Sequence, residues 1–171
     1  PRDYLTTKYE CEICRDYGYI QNGKVMCSCF KRALVLAGYE SSGIGTLMRT
    51  QTFESFSLDY FKDPADRAQM EQNLEIARSY AQSFSTDTPP ENLFLFGATG
   101  LGKTHLSTAI AKTVIDRGYD VVYETAINVF SDFEDDRFRR DLDRTRDPAD
   151  GKRTDRYFDC ELLIVDDLGV E

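Results

Sequence analysis

The sequence predicts an α/β fold with a parallel sheet, preceded by a small cysteine-rich module. Two apolar runs of strand length, 93–96 and 162–165, each lead into a polar motif, the first glycine-rich and the second acidic. Ligands of open α/β sheets bind at the carboxyl ends of the strands, so motifs in these positions predict one shared site. Apolar residues at helical spacing over 70–84 and 106–114 predict helices that flank the sheet.

The glycine-rich motif is a complete G-x-x-x-x-G-K-T loop between a predicted strand and a predicted helix, a context that a chance glycine-rich turn would not have. Its residues, all expected to bind nucleotide, are Gly97, Ala98, Thr99, Gly100, Leu101, Gly102, Lys103 and Thr104. In such a P-loop the backbone N–H groups turn toward the phosphates, Lys103 reaches the β and γ phosphates, and the Thr104 hydroxyl ligates Mg²⁺. The chain is therefore expected to bind ATP or ADP with Mg²⁺.

The acidic motif is the pair Asp166-Asp167 at the end of the second apolar run. The run of four aliphatic residues before it suits a parallel strand covered on both faces. Asp166 is expected to hold the Mg²⁺, and Asp167 to orient and deprotonate the attacking water. Alone, the pattern also fits a strand ending in an Asp-rich turn, but its place after a P-loop favours a Walker B motif. Lys103 and Asp167 are thus the predicted catalytic residues, and Thr104 and Asp166 the predicted magnesium ligands.

His105 is the only histidine and directly follows the P-loop. We include it among the residues at the nucleotide site, and we interpret it as a packing or capping residue of the helix start. The alternative role is that of a catalytic base, which the acidic pair already fills.

The composition, with 41% hydrophobic and 30% charged residues and a net charge of −9, is that of a globular protein. Residues 1–60 contain equal numbers of basic and acidic side chains, so the negative excess lies in residues 61–171. An acidic domain lacks the broad positive field of a protein that grips duplex DNA by itself, so contact with nucleic acid must be local or made by an assembly. No long apolar segment or signal peptide is visible, and we expect a cytoplasmic protein without membrane contact.

Four of the five cysteines form two close pairs, Cys11-x-x-Cys14 and Cys27-x-Cys29. Between them, an Asn-Gly pair at 22–23 predicts a type I′ hairpin that brings the second pair beside the first. Four thiolates so placed predict a tetrahedral Zn²⁺ site. Free or partly used thiols are an alternative, since C-x-C is less usual than C-x-x-C and one ligand could come from elsewhere. Disulfides are a third account, which lacks a secretory context.

The chain divides into three predicted parts: a zinc-binding module at 1–50, an aromatic linker at 51–66 and the ATPase portion at 67–171. A Ser/Gly-rich stretch at 41–45 is typical of a break between modules. The linker is predicted to be an extended segment that packs on the following domain. Its aromatic residues are alternatively suited to wall a nucleotide base.

Residues 131–156 carry acidic and basic side chains in nearly equal numbers. Asp135 with Arg139, and Asp136 with Arg140, are four residues apart and suit a solvated helix face. A DNA-facing or partner-facing element is the alternative.

Together these motifs resemble the bacterial replicative helicase loaders of the DnaC/DnaI type, AAA+ ATPases close to the IstB-like transposition ATPases. The resemblance covers nearly the whole chain and rests on Tyr9-x-Cys11-x-x-Cys14, Cys27-x-Cys29-Phe30, Thr52-Phe53-Glu54-x-Phe56, Gly97 through Leu106, and Leu163 through Gly169. IstB-like ATPases generally lack such a cysteine module, which favours the loader.

The resemblance implies an AAA+ core with a parallel sheet flanked by helices and with ATP bound between neighbouring subunits, hence a homo-oligomer formed through the ATPase domain. It also implies that the amino-terminal module grips the replicative DNA helicase while the ATPase part senses single-stranded DNA.

The sequence ends at Glu171, directly after the acidic motif. In the AAA+ pattern a further strand with a polar sensor residue inserts between the P-loop and Walker B strands, and an arginine finger and a second sensor follow. These features have no counterpart in the sequence, so no arginine is assigned as a finger. We expect an ATPase core incomplete at its carboxyl end, within a longer protein, and a first residue of Pro1 rather than Met agrees with this.

The sequence therefore favours an ATP-hydrolysing helicase loader in DNA replication initiation or restart, which delivers the replicative helicase to single-stranded DNA. One alternative is an IstB-like transposition ATPase. Another is a zinc-bearing adaptor that binds nucleotide without turnover.

Overall fold

The computed structural model describes residues 7–40, 44–88, 91–142 and 153–169. In chain order its elements are β1 (Tyr19–Ile20), β2 (Val25–Met26), α1 (Ser28–Glu40), α2 (Ile44–Thr50), a 3₁₀ turn (Leu58–Tyr60), α3 (Pro64–Ser83), α4 (Lys103–Asp116), β3 (Val121–Thr125), α5 (Ala126–Leu142), α6 (Asp155–Asp159) and β4 (Leu162–Asp166). None of the helices in these ranges combines the length and apolar composition that crossing a bilayer requires.

β3 and β4 form a parallel two-stranded sheet, paired from Val121 opposite Leu162 to Thr125 opposite Asp166. Parallel strands need a long crossover connection, and here α5 and α6 lie within it. Both α4 and α5 contact both strands. The predicted α/β architecture with a parallel sheet and accompanying helices is confirmed.

The main core lies between α3, α4 and the sheet. α4 is buried along most of its length, and α3 contributes the apolar stripe expected from its sequence, with Ala77, Ala81 and Phe84 buried and Met70 and Leu74 packed at the edge. Because the apolar side chains of this stripe recur at helical spacing, they share one face of α3, and α3 packs against α4.

Residues 93–96 differ from the prediction, because the structure assigns them no strand. Phe94 and Phe96 are 73% and 82% exposed, and their rings stack on each other with centroids 5.9 Å apart. A strand is held by backbone hydrogen bonds to a neighbour, and in the described part of the chain no strand pairs with this run. The run therefore enters the P-loop as an irregular segment, with Leu95 packed against the core.

β4 is present, but the prediction that both of its faces are covered is wrong. Leu162 and Ile164 pack against the core, whereas Leu163 and Val165 are 38% and 39% exposed. Successive side chains of a strand point to opposite faces, so one face of β4 is covered less completely than the other.

The mixed-charge segment is also less solvated than predicted. Asp136 is buried and accepts a hydrogen bond from the Thr154 N–H at 2.9 Å. Arg156 donates to Glu124 at 3.1 Å and to Asp132 at 2.9 Å. Carboxylates of β3 and α5 therefore accept hydrogen bonds from Thr154 and Arg156, and these bonds join the two ends of the crossover connection. Residues 143–152 lie outside the described ranges.

The predicted division into parts at 1–50, 51–66 and 67–171 stays a prediction. The break expected at 41–45 falls largely on residues 41–43, which lie outside the described residues. α1 runs through Gly38 and continues to Glu40.

Candidate nucleotide and metal sites

The P-loop turns into α4 through a residue that only glycine suits. Gly102 caps the helix in the left-handed region with φ 87°, and a Cβ built on it would lie 2.7 Å from the Phe56 ring. Gly97 and Gly100 also have positive φ, at 144° and 83°. These backbone conformations are strained for residues with a side chain, so the glycines of the motif let the loop curl at the start of a helix.

Lys103 is the first residue of α4, and its side chain folds back over the loop. Its Nζ donates to the carbonyl oxygens of Gly97 at 2.9 Å and Ala98 at 3.0 Å. The ammonium therefore lies against the concave backbone of the P-loop. A phosphate oxygen carries charge that these neutral carbonyls lack, so it would be a stronger acceptor for the same donor.

Asp166 ends β4 with both carboxylate oxygens in hydrogen bonds. Oδ1 accepts from the Asp167 N–H at 3.0 Å, and Oδ2 accepts from the Tyr123 hydroxyl at 2.6 Å. The Tyr123 hydroxyl also lies 2.8 Å from Ser107 Oγ, which is 3.1 Å from the Thr104 carbonyl oxygen. A chain of contacts thus links Asp166 to the first turn of α4, although the two lie far apart in sequence.

Tyr123 is a site residue that the sequence analysis missed. Val121-Val122-Tyr123 is a short run of β-prone residues after the P-loop helix, and the polar-tipped aromatic at its end was the available signal. Burial is the main effect that raises the pKa of Tyr123 above its ordinary value, and the hydrogen bond to Asp166 raises it further. The phenol therefore stays protonated near neutral pH and can donate to the Asp166 carboxylate.

Asp167 lies exposed in the turn after β4, with φ 56°. Aspartate enters the left-handed region more readily than most residues because its short polar side chain bonds locally. The turn places Asp166 and Asp167 in different surroundings: the first is bonded within the protein and the second faces solvent.

His105 connects the linker to the P-loop helix through hydrogen bonds and a ring contact. Its Nε2 donates to the Thr52 carbonyl at 2.8 Å and lies 3.3 Å from Ser55 Oγ. The Phe56 ring meets the imidazole edge to face, with centroids 5.1 Å apart. Phe53 is buried in the core. The linker therefore packs on α4 through turns rather than as the extended segment that we predicted, and Phe56 lies beside the end of the P-loop.

The four cysteines of the two pairs converge on one point. All four sulfurs lie within 4.8 Å of one another, with Cys11 and Cys27 3.8 Å apart and Cys14 and Cys29 3.4 Å apart. A Zn²⁺ with Zn–S distances of about 2.3 Å separates its sulfurs by about 3.8 Å, so this arrangement fits one tetrahedral ion.

The predicted hairpin brings the pairs together. β1 and β2 are antiparallel, with Ile20 opposite Val25, and Asn22 and Gly23 have φ 57° and 85°. Positive φ at both central residues is the signature of a type I′ turn. On the other side of the cluster, the Asp16 carboxylate accepts from the Cys11 N–H at 2.9 Å and closes the first knuckle.

Hydrogen bonds within the cluster shift the pKa values of two of the thiols in opposite directions. The backbone hydrogen bond from Cys14 is the largest of the effects that lower the pKa of Cys11 to about 7. The side-chain hydrogen bond with Cys14 is the largest of the effects that raise the pKa of Cys29 to about 12. Ionisation of the Cys11 thiol is therefore favoured, and ionisation of the Cys29 thiol beside it is opposed. A divalent cation would offset that repulsion.

Comparison with known proteins decides the family. The family described as IstB-like ATP binding protein matches residues 44–171, which is most of the chain. The chain belongs to this family. An ATP-binding family agrees with the predicted P-loop, and the match covers the P-loop, Asp166 and Asp167 but begins after the cysteine cluster.

Among curated proteins, the IstB-like chain is similar to proteins named chromosomal replication initiator protein DnaA. That of Aliarcobacter butzleri is 27% identical over 129 residues, which is 75% of this chain and 25% of the relative. That of Helicobacter acinonychis is 36% identical over 94 residues, 54% of this chain and 18% of the relative. The chain thus spans a quarter or less of the length of these relatives. No solved structure matches it.

Proposed function

We propose that this IstB-like chain is an ATP-hydrolysing helicase loader, which acts in DNA replication initiation or restart and delivers the replicative helicase to single-stranded DNA. The observation that supports ATPase activity is a path of hydrogen bonds, which runs from the Asp166 carboxylate through Tyr123 and Ser107 to the P-loop helix. This path supports the proposal because P-loop ATPases pair an acidic side chain with a phosphate-binding loop.

In this proposal each side chain has a distinct task. The backbone N–H groups of the P-loop and the Lys103 ammonium bind the phosphates, and the positive end of α4 adds to their field. The Thr104 hydroxyl and the Asp166 carboxylate would hold Mg²⁺, which would supply positive charge to neutralise the phosphate oxygens. Asp167, exposed beyond β4, orients the attacking water and accepts its proton.

The assignment to replication rests on the DnaA similarity and on the resemblance to helicase loaders. The similar proteins are named replication initiators, and the cysteine cluster is the feature that favours a loader. We propose that the cluster binds Zn²⁺ through Cys11, Cys14, Cys27 and Cys29. The module built on it would bind the replicative helicase, while a homo-oligomer of ATPase domains contacts single-stranded DNA.

A transposition ATPase is the second candidate, favoured by the family match itself, whose description is IstB-like. An adaptor without turnover is the third, and it shares every nucleotide-binding group with the first two. Binding of nucleotide alone therefore does not separate the three candidates, whereas partner choice and hydrolysis do.

The test uses the full-length protein, loaded with Zn²⁺ and Mg²⁺-ATP, as bait for the purified replicative helicase and, separately, for an IS21-type transposase. We expect retention of the helicase, loss of that retention after zinc chelation, and phosphate release that Asp167→Asn lowers while nucleotide stays bound. Capture of the transposase alone would favour the second candidate. Retention of the helicase without any phosphate release would favour the adaptor.

A further inference from the structure

Tyr123 occupies an unusual position for a polar side chain. It lies in the middle of β3, opposite Ile164 in the register of the sheet, and only 4% of its surface is exposed. Its ring belongs to the core cluster, while its hydroxyl reaches the bonded path between Asp166 and α4. The ring thus anchors the side chain in the core, and the hydroxyl alone meets the proposed magnesium nucleotide site.

The number of protons fixes the direction of these bonds. An ionised carboxylate only accepts, so the Tyr123 proton goes to Asp166 Oδ2. The Tyr123 oxygen then offers only lone pairs to Ser107, and the single Ser107 proton is shared between Tyr123 and the Thr104 carbonyl oxygen. Oδ1 of Asp166 is taken by the Asp167 N–H. Both carboxylate oxygens are therefore oriented, and each keeps a lone pair for a ligand.

We propose that Tyr123 is a positioning residue of the magnesium site: its hydroxyl fixes the orientation of the Asp166 carboxylate and ties it to the first turn of the P-loop helix. The proposal rests on the proposed function, because it assumes that Asp166 holds Mg²⁺. Partners of metal-ligating carboxylates set the direction of the ligand lone pairs, and their loss typically weakens metal affinity about 10- to 100-fold.

The competing account is a buried tyrosine whose hydroxyl has simply found an acceptor. The same chain offers a matched case in Tyr157, which donates to Asp132 at 2.6 Å within the α5–α6 network. The two pairs have the same bond length and the same chemistry, but Tyr157 and Asp132 belong to the α5–α6 network and not to the path that reaches the P-loop helix. Removing each hydroxyl in turn therefore separates a stability effect from a metal effect.

The experiment compares wild type, Tyr123→Phe and Tyr157→Phe as full chains, using ATP affinity in EDTA and then across an Mg²⁺ titration. We expect Tyr123→Phe to bind metal-free ATP as wild type does and to need about 10-fold or more Mg²⁺ for the same gain in affinity. Tyr157→Phe should match wild type in both. Ser107→Ala, which removes a more distant link of the path, should shift the Mg²⁺ requirement by a smaller factor.

Three results would overturn the inference. One is an Mg²⁺ titration of Tyr123→Phe that coincides with that of wild type. Another is an equal shift in Tyr123→Phe and Tyr157→Phe, which would indicate general destabilisation, and melting temperatures recorded on the same samples check this. If wild type itself binds no ATP, or binds it without any response to Mg²⁺, the proposed function fails together with the inference. A normal wild-type response with an unchanged Tyr123→Phe rejects the inference alone.

Discussion

The nucleotide site and the cysteine cluster are held in place by different means. At the nucleotide site the functional side chains already have protein partners: Lys103 donates to two loop carbonyls, and Asp166 accepts from Tyr123 and from a backbone N–H. In the cluster the four sulfurs lie within 4.8 Å of one another, and the cysteines flank a hairpin with two residues in each strand. A two-stranded hairpin is marginal alone. The core of the ATPase portion therefore positions the side chains of its site, whereas we propose that a bound metal ion stabilises the cysteine module.

The largest effect that this comparison predicts is on the cysteine module. Chelation of Zn²⁺, or Cys14→Ser, should unfold residues 7–40 and leave α3 and α4 folded, because structural zinc sites contribute about 10–16 kcal/mol to the folding of their modules. Hydrogen exchange read by mass spectrometry would locate the loss. Cys160→Ser, at the cysteine outside the cluster, is the control and should leave the metal content at one ion per chain. Protection of residues 7–40 that survives chelation would contradict the comparison.

At the nucleotide site the corresponding change should be smaller and should need ligand to be seen. ATP with Mg²⁺ at one hundred times its Kd should stabilise wild type by about 3 kcal/mol, and Lys103→Ala should remove most of this by removing the positive charge that the phosphates contact. Thermal melts with and without nucleotide measure the difference. Without nucleotide the two proteins should melt within a few degrees of each other. An undiminished shift in Lys103→Ala would mean that the phosphates bind elsewhere.

Substitutions at two glycines of the P-loop test whether packing against the rest of the protein shapes this loop. Gly102 and Gly100 both have positive φ, but an added Cβ meets the Phe56 ring only at Gly102 and open space at Gly100. Gly100→Ala should cost about 1–2 kcal/mol for its backbone conformation, and Gly102→Ala about 1–3 kcal/mol more for the clash. Chemical denaturation without nucleotide gives both values. Equal costs would show that Phe56 does not press on the loop.

The smallest expected effect concerns a contact between the two regions. Lys31 of α1 donates to the Glu161 carboxylate at 2.9 Å, and the same carboxylate accepts from the Asp120 N–H. Partial burial opposes ionisation of Glu161, but the Asp120 N–H and the Lys31 ammonium prevail and lower its pKa. Both side chains are about one third exposed, so after solvent screening we expect less than about 1 kcal/mol from the pair.

That contribution has a defined pH dependence. A pKa that is lower in the folded chain gives stability that is present above the unfolded pKa of about 4.3 and is lost as the pH falls through the folded value. Glu161→Gln should therefore lower stability at pH 7 and narrow its difference from wild type as the pH falls below about 4. Denaturation midpoints at several pH values measure this, with the exposed Glu71→Gln as control. A constant difference between Glu161→Gln and wild type would exclude the ion pair as its source.

Much of the site was predictable because its signals are local. The P-loop, the acidic pair, the α3 stripe and the turn of the cysteine hairpin are each written within a few consecutive residues, where φ preference and periodicity act directly. The strand expected at 93–96 failed for the opposite reason. Its apolar content was read correctly, but a strand also needs a neighbour, and pairing is a relation between distant segments.

The sequence alone determined the family-level chemistry: a phosphate-binding loop, a carboxylate at the end of an apolar strand, and four thiols folded together by an Asn-Gly turn. Only the tertiary structure decided which groups orient them. That Tyr123 meets Asp166 follows from the parallel register of β3 and β4, and that His105 and Phe56 join the linker to the P-loop follows from packing on α4. These contacts join residues far apart in sequence, and no local pattern encodes them because hydrogen bonds and packing act through space.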